Sequence, residues 1–278
     1  MSSVRMRLVV GVLAVLLTPV LAVAQVRPGE PAIIRPVDTG VKGDFTLSLS
    51  GGLDLDFLGE VLGYGVSCDP DVTEGVTACS QQTRILTVDR LVHWPDAYST
   101  LPTRATATIG FGIFNKDELI VSVSMGRGTG VQGLRVGEVI SLEGRRGMNV
   151  GFSEYKDRTF EGGLRHYLKA VGPVRGYVNL TYGIRQIEAI TATFAGSGSD
   201  GNVGTLRLYD KATLPTAGIV FGASFSKGIA GFYVESGFRW TRRMVRQDDD
   251  LRPLAMETIN NTTQRVFLPA NLGFVIRF

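Results

Sequence analysis

Histidine, the side chain most often used for acid–base catalysis, occurs only twice among 278 residues. His93 stands in His93-Trp94-Pro95-Asp96-Ala97-Tyr98-Ser99, so an imidazole, a carboxylate and a hydroxyl fall within seven residues. Those are the residue types of a serine acyl-transfer site. Geometry, not closeness in sequence, makes a triad, and loops are rich in Asp and Ser. The favoured reading is a loop anchored by Trp94 and Tyr98. His166 lies between Arg165 and Tyr167. A catalytic histidine on a strand would want a serine two residues away on its own face, and Leu164 and Leu168 stand there. No catalytic residue is assigned, and no enzyme is expected.

Three further clusters carry site-like residue types. Gly126-Arg127-Gly128-Thr129-Gly130 is glycine-rich, but it lacks the Lys-Ser/Thr ending and following helix of a phosphate loop. Asp248-Asp249-Asp250 offers carboxylate oxygens to a divalent cation, yet reads as a solvated acidic loop. Cys68 and Cys79 fall in a Gly/Asp/Thr-rich stretch and are expected to form one local disulfide in an oxidising compartment. No metal site and no cofactor are expected.

The elements that must position these residues begin after residue 24. Arg5 and Arg7 precede an apolar run from Leu8 to Leu17, and Ala22-Val23-Ala24 offers a small-x-small cleavage site. That order is the order of a secretory signal peptide. Removing Arg5 and Arg7 from 29 basic residues leaves 27 against 26 acidic ones, a net of +1. Nothing in that balance asks for a nucleic-acid partner. Residues 25–43, with Pro28, Pro31 and Pro36, read as an N-terminal periplasmic lead-in. Residues 44–278 read as one β domain.

In that domain apolar residues recur at every second position. In 45–57, Phe45, Leu47, Leu49, Leu53, Leu55 and Phe57 share one face. Thr46, Ser48, Ser50, Asp54 and Asp56 share the other. The same period appears in 103–114, 118–127, 158–170, 175–187, 216–226, 231–243 and 265–278. Eight such runs have the length that a tilted membrane strand needs. Short links near 115–117, 171–174 and 227–230 alternate with long ones at 58–102, 128–157, 188–215 and 244–264. Short and long in strict alternation is the up-and-down topology of a transmembrane barrel. Residues 137–142 and 148–155 form either an external hairpin or two extra strands, so eight strands are preferred and ten are possible. Residues 192–196 and 204–209 read as the fifth and sixth strands running on into a hairpin tip.

Alternation alone leaves open which face points outward. A soluble lipocalin-like barrel would put the apolar face inside. Here the polar faces are largely Ser, Thr and Gly with few charges, which suits a narrow lumen better than a solvated exterior. The charges expected to form a lumen network are Asp54, Asp56, Glu161, Arg165, Lys169, Arg185, Glu235, Arg239 and Arg277. A buried unpaired charge is costly, so these should pair. Aromatics near strand ends (Phe45, Phe57, Phe114, Phe160, Phe225, Trp240, Phe274, Phe278) suit membrane interfaces.

The chain ends on a strand, with Leu272, Phe274, Ile276 and Phe278 at alternate positions and a terminal Phe. Together with the leader and the eight runs, this resembles the bacterial outer-membrane β-barrel proteins, in particular the small eight-stranded OmpA- and OmpX-type families. The resemblance implies an all-β, antiparallel, up-and-down barrel in the Gram-negative outer membrane. It implies contact with outer-membrane lipid and lipopolysaccharide, and insertion by the barrel assembly machinery through the last strand. A monomer with a plugged lumen and a structural or surface-interaction role is expected. The alternatives are a small diffusion porin, a lipid-modifying outer-membrane enzyme and a soluble lipocalin-like barrel. Arg242, Arg243, Arg246 and Arg252 are candidates for meeting lipopolysaccharide phosphates.

Overall fold

A computed structural model describes residues 41–68, 84–98, 103–141, 144–196, 202–227, 229–244 and 264–278. The first half holds β1 (Phe45–Leu58), β2 (Glu60–Leu62), β3 (Gly65–Cys68), β4 (Arg84–Val88), β5 (Val92–His93) and the one-turn helix α1 (Trp94–Ala97). It continues with β6 (Thr103–Gly112), β7 (Asp117–Gly128), β8 (Leu134–Ser141) and β9 (Gly144–Phe152). The second half holds β10 (Tyr155–Tyr167), β11 (Val174–Ile187), β12 (Ile190–Gly196) and β13 (Asn202–Tyr209). It ends with β14 (Ala212–Lys227), β15 (Ala230–Thr241) and β16 (Arg265–Arg277).

Eight strands close a barrel in the order β1-β16-β15-β14-β11-β10-β7-β6, with β6 returning to β1. Every neighbouring pair is antiparallel, and the ring order follows chain order. Closure leaves no strand edge, so every ladder in the ring is paired on both sides. The seam between first and last strands runs to the end of the chain, where Phe278 and Phe45 exchange backbone hydrogen bonds of 2.8 and 3.1 Å.

Burial decides which face is inside. Along β7, Glu118, Ser122 and Ser124 are buried, while Leu119, Val121, Val123 and Met125 are 36–63% exposed. The same inversion holds on β1, where Thr46, Ser48 and Asp54 are buried and Phe45, Leu47, Leu49, Leu53 and Phe57 are exposed. This is the inside-out distribution of a transmembrane β-barrel, opposite to that of a lipocalin. On β11 the outward apolar run from Val174 to Ile184 covers eleven residues, ten residue-to-residue rises. At about 3.3 Å per residue and a tilt of about 40°, that is roughly 25 Å of apolar height.

Three of the four long connections, 58–102, 128–157 and 188–215, carry strands among the described residues. Strands β3, β4, β8, β9, β12 and β13 form a second, six-stranded sheet in the order β13-β12-β9-β8-β4-β3. With β2, β5 and α1 it encloses an apolar core that includes Val61, Trp94, Met148, Phe152, Phe194 and Leu208. The core extends onto Ile187 and Leu214, at the ends of the barrel strands β11 and β14. We call this unit the cap. Residues 137–141 and 148–155 lie in the β8–β9 hairpin of the cap and its exit to β10, Leu142 lies outside the described residues, and the ring stays at eight.

The reading of residues 192–196 and 204–209 as extensions of the fifth and sixth barrel strands is corrected. They form the β12–β13 hairpin, and β12 also pairs with β9. The reason is a phase change. In β11 the buried positions are odd, Arg185 and Ile187; in β12 they are even, Ile190, Ala192 and Phe194. Residues 188–189 break the strand between them, and a continuous strand could not change parity.

Candidate functional site: the barrel lumen

The lumen is filled by polar side chains in two clusters. Near the cap, three Arg meet three Asp. Asp54 accepts hydrogen bonds from Arg104 Nη2 at 2.8 Å and Nε at 3.0 Å. Asp157 Oδ2 accepts from Arg104 Nη2 at 3.0 Å and Arg185 Nη2 at 2.7 Å. Arg185 also reaches Asp54 at 3.4 Å. Arg265 grips Asp56 with two nitrogens and donates to the Tyr155 hydroxyl at 2.8 Å. Bidentate and shared geometry of this kind makes buried ion pairs tolerable, because each desolvated charge keeps several partners. The cluster is roofed by cap aromatics: the Arg265 guanidinium lies 4.7 Å from the Trp94 ring, and Trp94 packs against Tyr98 and Tyr155.

A second cluster fills the turn end. Glu118 accepts from Arg165 at 3.1 Å, from the Tyr167 hydroxyl at 2.8 Å and from Thr46. Glu235 accepts from Tyr177, Asn179 and Asn271 at 3.0–3.3 Å. Between the clusters Arg239 pairs with Glu161 at 2.8 Å. Two tyrosines fit because glycines face them. Tyr177 is the cross-strand partner of Gly222, and Tyr233 of Gly273. A Cβ at either glycine would enter the opposing ring. Val41 then closes the turn end, packing with Tyr167, Tyr177 and Tyr233.

The structure brings Asp54, Asp56, Glu161, Arg165, Arg185, Glu235 and Arg239 into the lumen. Arg277 sits half-buried at the turn-end mouth, 3.6 Å from Asp44 and 3.2 Å from the Tyr167 hydroxyl. Lys169 is corrected out of the network: β10 ends at Tyr167, and Lys169 is exposed on the link to β11. Its parity matches Glu161 and Arg165, but no barrel rung remains to aim it inward. The expectation missed Arg104, Glu118, Asp157 and Arg265, all buried and all paired. Each stands at an inward position of its strand, so parity alone could have found them. Leu272, Phe274, Ile276 and Phe278 line the outward face of the last strand and its end. The Cys68 side chain and Cys79 lie outside the described residues, as do Asp248–Asp250, Arg246 and Arg252. Arg242 and Arg243 are exposed just past β15.

Neither histidine sits in a catalytic arrangement among the described residues. His93 is exposed, with Nδ1 3.3 Å from the Gly59 carbonyl oxygen. Trp94 and Tyr98 are buried in the cap core, so the segment is anchored as the sequence suggests. Asp96 lies 4.0 Å from Arg90 at the surface, and Ser99 lies outside the described residues. His166 is exposed on the outer wall with Nδ1 2.7 Å from Asp117 Oδ1. The shallow surface beside it is lined by Lys42, Phe114, Asn115 and Lys116, which supply no hydroxyl or thiol nucleophile.

No protein-family model and no curated protein matches the chain. Among solved structures it is similar to Neisserial surface protein A, at 10% identity, 85% of this chain, 98% of that one and a TM-score of 0.42. It is similar to the outer membrane protein OprG from Pseudomonas aeruginosa, at 13% identity, 87% and 99% coverage and a TM-score of 0.40. The outer membrane protease OmpT from Escherichia coli also matches, at 10% identity, 89% and 99% coverage and a TM-score of 0.38. The barrel assignment stands on this chain's own strand register and burial.

Proposed function

We propose that the protein is an outer-membrane barrel that does not conduct, and that holds a folded cap outside the cell for a structural or surface-interaction role. One observation carries this reading: the Asp54–Arg104–Asp157–Arg185 cluster crosses the lumen directly beneath the aromatic roof of the cap. A diffusion pore needs a continuous wet path, and here interlocked guanidinium and carboxylate groups occupy it. The apolar belt supports a membrane location, and the alternation of short turns with long connections supports a cap on the extracellular side.

Reconstitution of the full chain into planar bilayers tests the reading. The expected record is flat at voltages that open porins. Steady single-channel steps from the native chain, absent from heat-denatured controls, would overturn it and favour a small diffusion pore. Outer-membrane fractionation with boiled and unboiled electrophoresis tests the location separately. A band that shifts on boiling is expected in the outer-membrane fraction, whereas a soluble periplasmic protein without a shift would refute the membrane assignment.

A further inference from the structure

The outer edge of the apolar belt is not uniform around the barrel. On β7 the outward residues run Leu119, Val121, Val123, Met125 and then Arg127; on β10 they run Leu164, Gly162, Phe160 and then Arg158 and Lys156. These two strands are neighbours, and their register places Arg127 directly opposite Lys156, and Met125 opposite Arg158. On the next strand Gln186 is opposite Arg158. Lys211, just before β14, completes the group: Arg127, Lys156, Arg158 and Lys211 line one cavity of about 140 Å³, with Met125 and Glu188.

This arrangement is unfavourable as it stands. Directly opposed side chains on an antiparallel pair have Cβ atoms about 5 Å apart, and like charges there repel. Two acids relieve part of it: Lys156 pairs with Glu154 at 2.6 Å and Lys211 with Glu188 at 2.9 Å. Arg127 and Arg158 make no direct ion pair among the described residues. Two exposed guanidinium groups therefore face the same cavity, whose volume is well above the roughly 10–15 Å³ that one water needs. Planar guanidinium forks match the oxygens of a phosphate.

We infer that this cavity is a binding site for a phosphate group carried on a lipid of the outer leaflet. The site sits where the belt ends, so its ligand must present phosphate at that height. Met125 forms part of the cavity wall, and Val123 and Phe160 continue the apolar surface one rung below. Acyl chains attached to the phosphate-bearing headgroup would lie along these residues. A free phosphate ion would gain nothing from that surface. The inference rests on the outer-membrane reading above, since only that orientation puts the cavity in the outer leaflet.

The test uses the full chain, refolded and placed in phosphatidylcholine nanodiscs containing lipopolysaccharide, with lipid retained after washing in mild detergent read as bound phosphate. Arg127→Gln/Arg158→Gln is expected to retain at least roughly tenfold less than the native chain, since even one charge-assisted contact is worth about a factor of ten. Arg127→Lys/Arg158→Lys, which keeps both charges, should retain most of it. Dephosphorylated lipopolysaccharide should bind the native chain as poorly as the Gln variant binds the intact lipid. Excess inorganic phosphate should compete weakly; full displacement would show that the cavity reads the free ion, which overturns the lipid assignment. Equal retention by native and Gln chains would also overturn it. If the Gln variant fails to fold, as judged by its unboiled mobility, salt on the native chain decides. At about 1 M the screening length falls to about 3 Å, and retention should collapse; unchanged retention sinks the site. A native chain found outside the outer membrane would instead remove the reading beneath it, an outcome the fractionation reports independently.

Discussion

The barrel and the cap are built from the same period-two alternation, yet they bury opposite halves of it. In the barrel Asp54, Glu118, Asp157 and Arg185 are inside and Leu49, Val121 and Phe221 are outside. In the cap Val150, Phe194 and Leu208 are inside, and Arg145, Thr205 and Arg207 face out. The difference teaches what each core must supply. The cap core is held by removal of apolar surface from water, at roughly 25 cal/mol per Å². The barrel core gains little that way, because its apolar face stays exposed for lipid. Its ladders are satisfied by closure, and its interior holds together through paired charges and hydroxyls.

The largest expected effect breaks the barrel core. Asp54→Ala removes an acceptor shared by Arg104 and Arg185 and leaves both guanidinium groups with less compensation. Breaking a buried pair by deleting one partner costs about 3–5 kcal/mol. The denaturant midpoint of the detergent-folded chain, followed by loss of the unboiled fast-migrating band, should fall accordingly. An unchanged midpoint would mean that water, not ion pairing, stabilises the lumen.

Next in size is the cap. Met148→Ala leaves a cavity in an apolar core where Met148 is fully buried, a change worth about 2–5 kcal/mol. Here the two regions should separate. Protection of cap amides from hydrogen exchange should drop while the barrel ladders keep theirs, because local stability follows local packing. Equal loss of protection in β7 and β9 would show one cooperative unit.

A matched pair of surface changes sharpens the contrast further. Val121, 63% exposed, lies in the middle of the outward run on β7. Val121→Arg should cost about 2–4 kcal/mol in a bilayer, the depth-dependent penalty of a cation on a lipid-facing position. Thr205→Arg on the cap, also exposed, should stay within about 0.5 kcal/mol. Folding yield into vesicles measures both. If the two substitutions behave alike, the barrel wall does not face lipid.

The same contrast explains what was legible in the sequence. The barrel strands were readable because lipid demands long, regular apolar faces; the observed β1 and β16 differ from the expected 45–57 and 265–278 by one residue each. The cap was not. Its strands β3 and β4 are four and five residues long and lie inside a connection that carries no sustained period. Only register shows that Arg84–Val88 pairs with β8. The lumen charges were half legible for a related reason. Arg104 and Glu118 stand at the second position of their strands, and Asp157 lies one residue before the expected start of its own. Near a strand end the apolar alternation has few turns of its period left to mark a face, although inward parity holds there. Lys169 is the reverse case, a residue of correct parity beyond the last rung.

The smallest effect lies outside both cores. Glu188, at the break between β11 and β12, is exposed and pairs with Lys211 at 2.9 Å. The hydrogen bond from Lys211 holds its carboxyl below the usual carboxylate range. A lowered folded-state pKa contributes stability that is present above the ordinary Glu range and is lost as pH falls through the folded value. Solvent screens an exposed pair strongly, so Glu188→Gln should leave the denaturant midpoint at neutral pH nearly where it was. What small difference exists between the two chains should close as pH drops below the Glu range, where the native carboxyl is itself neutral. A large midpoint loss for Glu188→Gln would show that the parity break at residues 188–189 is held by this pair, and not by Ile187 and Ile190 buried on either side of it.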